Sequence, residues 1–109
     1  MANTFKLKTK ANVGVTTVGI YTAPAATTTV VIGITLSNTS GSGVNVGVGI
    51  TRAGTTEDVK LLKNAPIPQG SSLEFMGGNK VVLETTDTLT VDSDTNSSVD
   101  AALTIMEIT

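Results

Sequence analysis

Thr29-Val30-Val31-Ile32-Gly33-Ile34-Thr35-Leu36-Ser37 and, after a polar break, Val44-Asn45-Val46-Gly47-Val48-Gly49-Ile50-Thr51 decide the fold class. Both runs alternate with a period of two, the spacing at which side chains return to the same face of an extended strand. Val30, Ile32, Ile34 and Leu36 fall on one face of the first run. Val44, Val46, Val48 and Ile50 fall on one face of the second. The intervening Asn38-Thr39-Ser40-Gly41-Ser42-Gly43 is turn composition throughout, so the two runs read as an antiparallel hairpin.

The same period extends outward from this pair. Phe5, Leu7 and Thr9 alternate with Lys6, Lys8 and Lys10, giving one half-exposed strand. Val13, Val15 and Thr17 continue the pattern, and Val18 and Ile20 resume it in shifted phase, as at a bulge or a new strand. Val59 to Leu62 reads as a short strand. Asn64 to Gly70 reads as a connection, because Pro66 and Pro68 cannot donate ladder hydrogen bonds. Ser71 to Met76 is extended, Gly77-Gly78-Asn79 is a tight turn, and Val81 to Leu83 returns. Leu89, Val91 and Ser93 alternate with Thr88, Thr90 and Asp92. Val99, Ala101, Leu103 and Ile105 alternate with Asp100, Ala102, Thr104 and Met106.

About eight short strands and no helix predict an all-β chain, a single-domain antiparallel β-sandwich over residues 1–109, Ig-like or jelly-roll-like. Residues 1–12 form an N-terminal arm or edge strand. The core would be built from Val, Ile, Leu and Ala, with Phe5, Phe75 and Tyr21 as its aromatics. The last strand is apolar on both faces near its end (Ile105, Met106, Ile108), as in a central strand or one covered by another subunit.

Composition agrees. Thr, Val and Ile make up 40 of the 109 residues, and these side chains suit a pleated surface. There is no Cys, His or Trp, which removes disulfides, zinc sites of Cys or His, and catalysis by thiol or imidazole. The net charge of −2 calls for no polyionic partner, although the basic residues concentrate before residue 64 and the acids after it. The N-terminus has no apolar signal-peptide core, and the longest apolar run is far short of a membrane helix. These features predict no signal peptide and no membrane partner.

Chemistry-bearing patterns are few. Asp92, Asp94 and Asn96 place oxygens at alternate positions, as a hard cation requires. The residues at the positions of a calcium loop's Gly and Glu are Ser97 and Leu103, and the run reads better as a polar turn with Asx side chains on their own backbone. No cofactor is implied. The acids lack the cleft and aromatic platform of a glycosidase, and the glycines lack the helix start and Lys of a phosphate loop. Lys6, Lys8 and Lys10 beside Phe5 are too few for a nucleic-acid surface, so no nucleic acid is expected; lysines on an edge strand discourage mispairing. Gly47 and Gly49 leave one strand face flat, for a crossing strand of the same domain or for another chain.

Val18-Gly19-Ile20-Tyr21-Thr22-Ala23-Pro24-Ala25, the Thr29–Asn38 run, Ala65-Pro66-Ile67-Pro68-Gln69-Gly70-Ser71-Ser72-Leu73, Val81-Val82-Leu83-Glu84-Thr85-Thr86-Asp87, and Val91-Asp92-Ser93-Asp94 leading to Ser98-Val99-Asp100-Ala101 carry a resemblance. Over nearly the whole chain the sequence resembles small virion structural proteins of tailed bacteriophages, head decoration (cement) proteins of the marine and cyanobacterial phage type. The resemblance implies a non-enzymatic β-sandwich on the capsid surface of the virion, often a homotrimer, with the major capsid protein and neighbouring copies as partners. A tail, neck or fibre-associated role and, in another class, a receptor- or glycan-binding module are the alternatives. The expected contacts are Phe5, Lys6, Lys8, Lys10, Gly47 and Gly49; no catalytic residue is implied.

Overall fold

The computed structural model describes residues 3–53, 57–75 and 80–109. They form an all-β sandwich of two antiparallel sheets, with no helix among the described residues. The strands are β1 (Asn3–Val13), β2 (Val18–Thr22), β3 (Thr28–Asn38), β4 (Val44–Thr51), β5 (Asp58–Ile67), β6 (Ser72–Phe75), β7 (Val81–Leu83), β8 (Thr88–Ser93) and β9 (Val99–Ile108). The first sheet runs β1-β9-β3-β6, with β7 also on β3; the second runs β2-β8-β4-β5.

The pairs nest from the chain ends inward: β1 on β9, β2 on β8, β3 on β6 and β7, β4 on β5. A long antiparallel ribbon folded over on itself gives this order, which is the jelly roll. Val31, Ile34, Leu36, Leu83, Leu103 and Ile105 from the first sheet meet Val46, Val48, Ile67, Leu89 and Val91 from the second in one buried core.

Four sequence readings need correction. The two runs that fix the fold class are not a hairpin, because β3 and β4 belong to different sheets. Asn38 holds the crossing: its amide donates to the Ser42 carbonyl at 2.8 Å and the Ile67 carbonyl at 3.0 Å, and its Oδ1 accepts from Ser40. Nor do Val30, Ile32, Ile34 and Leu36 share a face. The register against β9 slips between Val31 and Gly33, so Ile34 and Leu36 point into the core while Val30 and Ile32 are turned out. Pro66 lies inside β5 rather than in a connection; β5 is an edge strand, where a missing N–H costs no ladder bond. Phe5 is no core aromatic, since it is 70% exposed. The phase change after Thr17 is a new strand, β2, in the other sheet. The Gly77-Gly78-Asn79 turn lies outside the described residues.

Candidate functional site

β1 is the edge of the first sheet, and its register against β9 assigns its two faces. Lys6, Lys8 and Lys10 stand opposite Ile105, Leu103 and Ala101, whose side chains enter the core. The lysines therefore line the inward face at the open flank of the sandwich. Phe5 and Leu7 stand opposite Met106 and Thr104 and point outward, with Leu7 65% exposed. An edge strand with inward-pointing charge resists indiscriminate pairing.

Lys6 fixes this parity. Its ammonium lies 2.9 Å from Glu107, a carboxylate buried between the sheets at the end of β9. Glu107 also accepts a 2.6 Å hydrogen bond from the Tyr21 hydroxyl, which lies 2.8 Å from Thr29 Oγ1. The group joins β1, β2, β3 and β9. The Lys6 and Tyr21 hydrogen bonds hold the Glu107 carboxyl below the usual carboxylate range, against the effect of burial. Burial, with the bond to Glu107, pushes the Tyr21 hydroxyl up to about 12. Nothing in the period-two pattern marks this cluster. Its one sequence signal is an acid inside the apolar run Ile105-Met106-Glu107-Ile108.

The outer face of this sheet carries a row of apolar side chains across four strands. Phe5 pairs with Met106, Met106 with Val30, and Val30 with Val82, which is 54% exposed. Leu7, Ile32 and Ile108 flank the row. From the middle of the same face to its other end lie two shallow depressions: one of about 250 Å³ over Thr9, Ala11, Thr35 and Ala102, bordered by Lys10 and Asp100, and one of about 410 Å³ over Gly33, Thr35, Ala102 and Thr104, bordered by Glu74.

The outer face of the second sheet is polar and closed by its own side chains. Gly47 and Gly49 lie there, buried in mid-sheet opposite Asp92 and Thr90. A Cβ on Gly47 would come within 2.5 Å of Asp92 Oδ1, and one on Gly49 within 2.9 Å of the Val59 carbonyl and 3.2 Å of Thr90 Oγ1. The flat strip is thus occupied from within the domain. Asp92 accepts from Thr17 at 3.0 Å and lies 4.0 Å from the Lys60 ammonium. Asp94 accepts from the Asn45 amide N–H at 3.1 Å and from Thr95. Asn96 lies in the following turn, and no three acidic side chains gather at a common point among the described residues.

A second buried carboxylate, Asp87, knits loops at the foot of β8. It accepts from the amides of Ala53 and Glu84 at 3.1 and 3.0 Å and pairs with Arg52 at 3.1 Å. Burial raises its carboxyl, but the two amides and the guanidinium outweigh that and leave it below the ordinary value.

These features define a jelly-roll sandwich whose distinguishing surface is an edge strand and an apolar sheet face. No protein-family model matches the chain, and no curated protein sequence matches it. The solved structures that share the fold include two of note. One is a chain of Bacillus endospore appendages, described as a novel family of disulfide-linked pili: 15% identity, 99% of this chain and 87% of that one covered, TM-score 0.57. The other is a chain from the structure of infectious bursal disease virus, Gx strain: 14% identity, 96% of this chain covered, TM-score 0.58. This chain spans about a third (32%) of that viral chain. At such identities the likeness is one of fold.

Proposed function

We propose that this chain is a non-enzymatic structural protein of a virion, and that within the particle it decorates the head, binding the assembled shell and neighbouring copies of itself. The observation that carries this reading is the exposed β1 edge with the apolar row Phe5–Met106–Val30–Val82 beside it. Surfaces of that kind act by being covered. The jelly roll, a fold used by viral capsid domains, and the shared fold with a chain of a virus structure support it. So does the sequence resemblance to phage head decoration proteins.

The mechanism is mass action. Each copy that binds the assembled shell but not its free subunits adds its binding free energy to the assembled state. β1 presents a backbone edge to which a strand of the capsid can add, and Lys8 and Lys10 favour an acidic partner there.

Adding the purified chain to undecorated heads and measuring bound copies tests the reading. Decoration predicts occupancy that repeats over the shell at junctions between capsid subunits. Binding confined to a single ring of copies points to the neck or tail, and no binding rejects the role. Deletion through Lys10, or the milder pair Lys8→Glu and Lys10→Glu, should lower occupancy. Full occupancy in both removes β1 from the contact.

A further inference from the structure

We infer that the outer face of the β1-β9-β3-β6/β7 sheet packs face to face on the same face of a second copy, about a two-fold axis, with Phe5 and Met106 of each copy seated over Thr9 and Ala102 of the other. This names the copy-to-copy contact of the assembly proposed above and rests on that reading.

The occupant follows from the layout of the face. Its bulk sits at one end, and its hollows run from mid-face to the other end. Phe5, Met106 and Val30 form one cross-strand row. Four residues along β1, Thr9, Ala102 and Thr35 form another; the first depression opens there, and the second reaches from there to Gly33 and Thr104. Place a two-fold axis in the plane of the face, across the strands at the level of Leu7 and Thr104. Each position then meets the position equally far beyond the axis: Phe5 over Thr9, Met106 over Ala102, Val30 over Thr35, and the reverse at the other end. That is the residue-to-residue reciprocity an isologous dimer requires. Stacked sheets meet in this way, large residues against small.

Charge and area permit it. Lys6, Lys8 and Lys10 point to the opposite side of β1, so the bulky row is free of charge. The carboxylates on this face border the hollows: Glu74, opposite Thr35 on edge strand β6, lines the second, and Asp100 lines the first and accepts from the Asn12 amide at 3.0 Å. Pairing β1 edge to β1 edge is the poorer alternative: keeping Phe5 and Leu7 on a common face sets lysine opposite lysine. Strands of about ten residues, about 34 Å long, four abreast at about 4.8 Å, give a face of roughly 600 Å². Two such faces cover roughly 1,200 Å², the lower bound of a specific stable interface.

Sedimentation equilibrium of the full chain over a concentration series tests the contact without any particle, so this inference and the virion role fail separately. The expected result is a monomer–dimer equilibrium. Phe5→Glu, which loads the protruding end with charge, and Ala102→Leu, which fills the hollow, should each weaken it by at least about tenfold while far-ultraviolet circular dichroism stays unchanged. Lys8→Glu should not. Because the chain has no cysteine, Leu7→Cys places a single thiol on the axis, and a short bis-maleimide should link it to its own counterpart; Val82→Cys, at the margin, should not link. A monomer at every concentration, a trimer, an association indifferent to both substitutions, or linkage through Val82→Cys in place of Leu7→Cys overturns the inference.

Discussion

The two sheets of this sandwich finish their outer faces in opposite ways. On the second sheet, Gly47 and Gly49 make room, and Asp92, Thr90 and Lys60 fold over them; Thr17 and Lys60 in turn hold Asp92. On the first sheet, Phe5, Met106, Val30 and Val82 line up across four strands, with Phe5 and Val82 exposed and Met106 and Val30 half-buried. The second face is finished by the domain itself, and the first is the one we propose a second copy covers. A glycine in a strand is no evidence of docking when its neighbours lean into the gap. Exposed phenylalanine and leucine on the outside of an edge strand are better evidence, because leaving them in water forgoes burial worth about 1.5–3 kcal/mol each.

The largest expected effect is on the finished face. Gly49→Val drives a branched side chain against the Val59 carbonyl, which as backbone cannot swing aside. It should cost about 2–3 kcal/mol, a fall in Tm of roughly 10–20 °C by calorimetry. A melting temperature within a few degrees of the parent would mean that face has slack.

Next comes the anchor that holds β1 in place beneath the unfinished face. Tyr21→Phe removes the 2.6 Å bond to Glu107 and should cost about 1–2 kcal/mol in chemical denaturation. A smaller dependence follows with pH. Glu107 and Asp87 hold their protons more weakly folded than unfolded, so the stability they lend is complete above the unfolded carboxylate range, about pH 4–5. It drains away as pH falls through their lower folded values. Tyr21 gives the converse at the alkaline end, where stability present below about pH 10 is lost as pH rises towards about 12. Lys6→Met should flatten the acid limb; an unchanged acid limb would remove Lys6 from the anchor.

The smallest effect on stability belongs to the exposed row. Phe5→Ser should change the free energy of unfolding by less than about 0.5 kcal/mol, because the ring is already in water. A large loss would show that the ring packs within its own chain.

The sequence made the strands legible wherever one face is buried and the period runs unbroken. β4, β8 and β9 present the faces that alternation assigns them. It misled where a local event resets the phase. The bulge at Ile32 and Gly33 turns Val30 outward, and no residue type in that run announces it. The polar turn after Asn38 could equally close a hairpin or cross between sheets. The choice falls to partners far away in the chain, Ile67 and Ser98, which Asn38 and Thr39 bind. On β1 the alternation was plain but its sense was not, since that depends on Lys6 finding Glu107, 101 residues away. The proposed contact residues Phe5, Lys6, Lys8 and Lys10 were legible as one strand. That Phe5 belongs to a row spanning four strands was not, because Met106, Val30 and Val82 join it through register alone.

The most direct measurement compares the two faces in one protein free of native thiols. Val82→Cys and Asn45→Cys each place a single cysteine, the first on the apolar face and the second on the polar one. Thiol labelling rates are then followed as protein concentration rises. The account predicts that labelling at Val82→Cys slows progressively while labelling at Asn45→Cys stays constant. Equal rates at every concentration, or protection of Asn45→Cys alone, would contradict it.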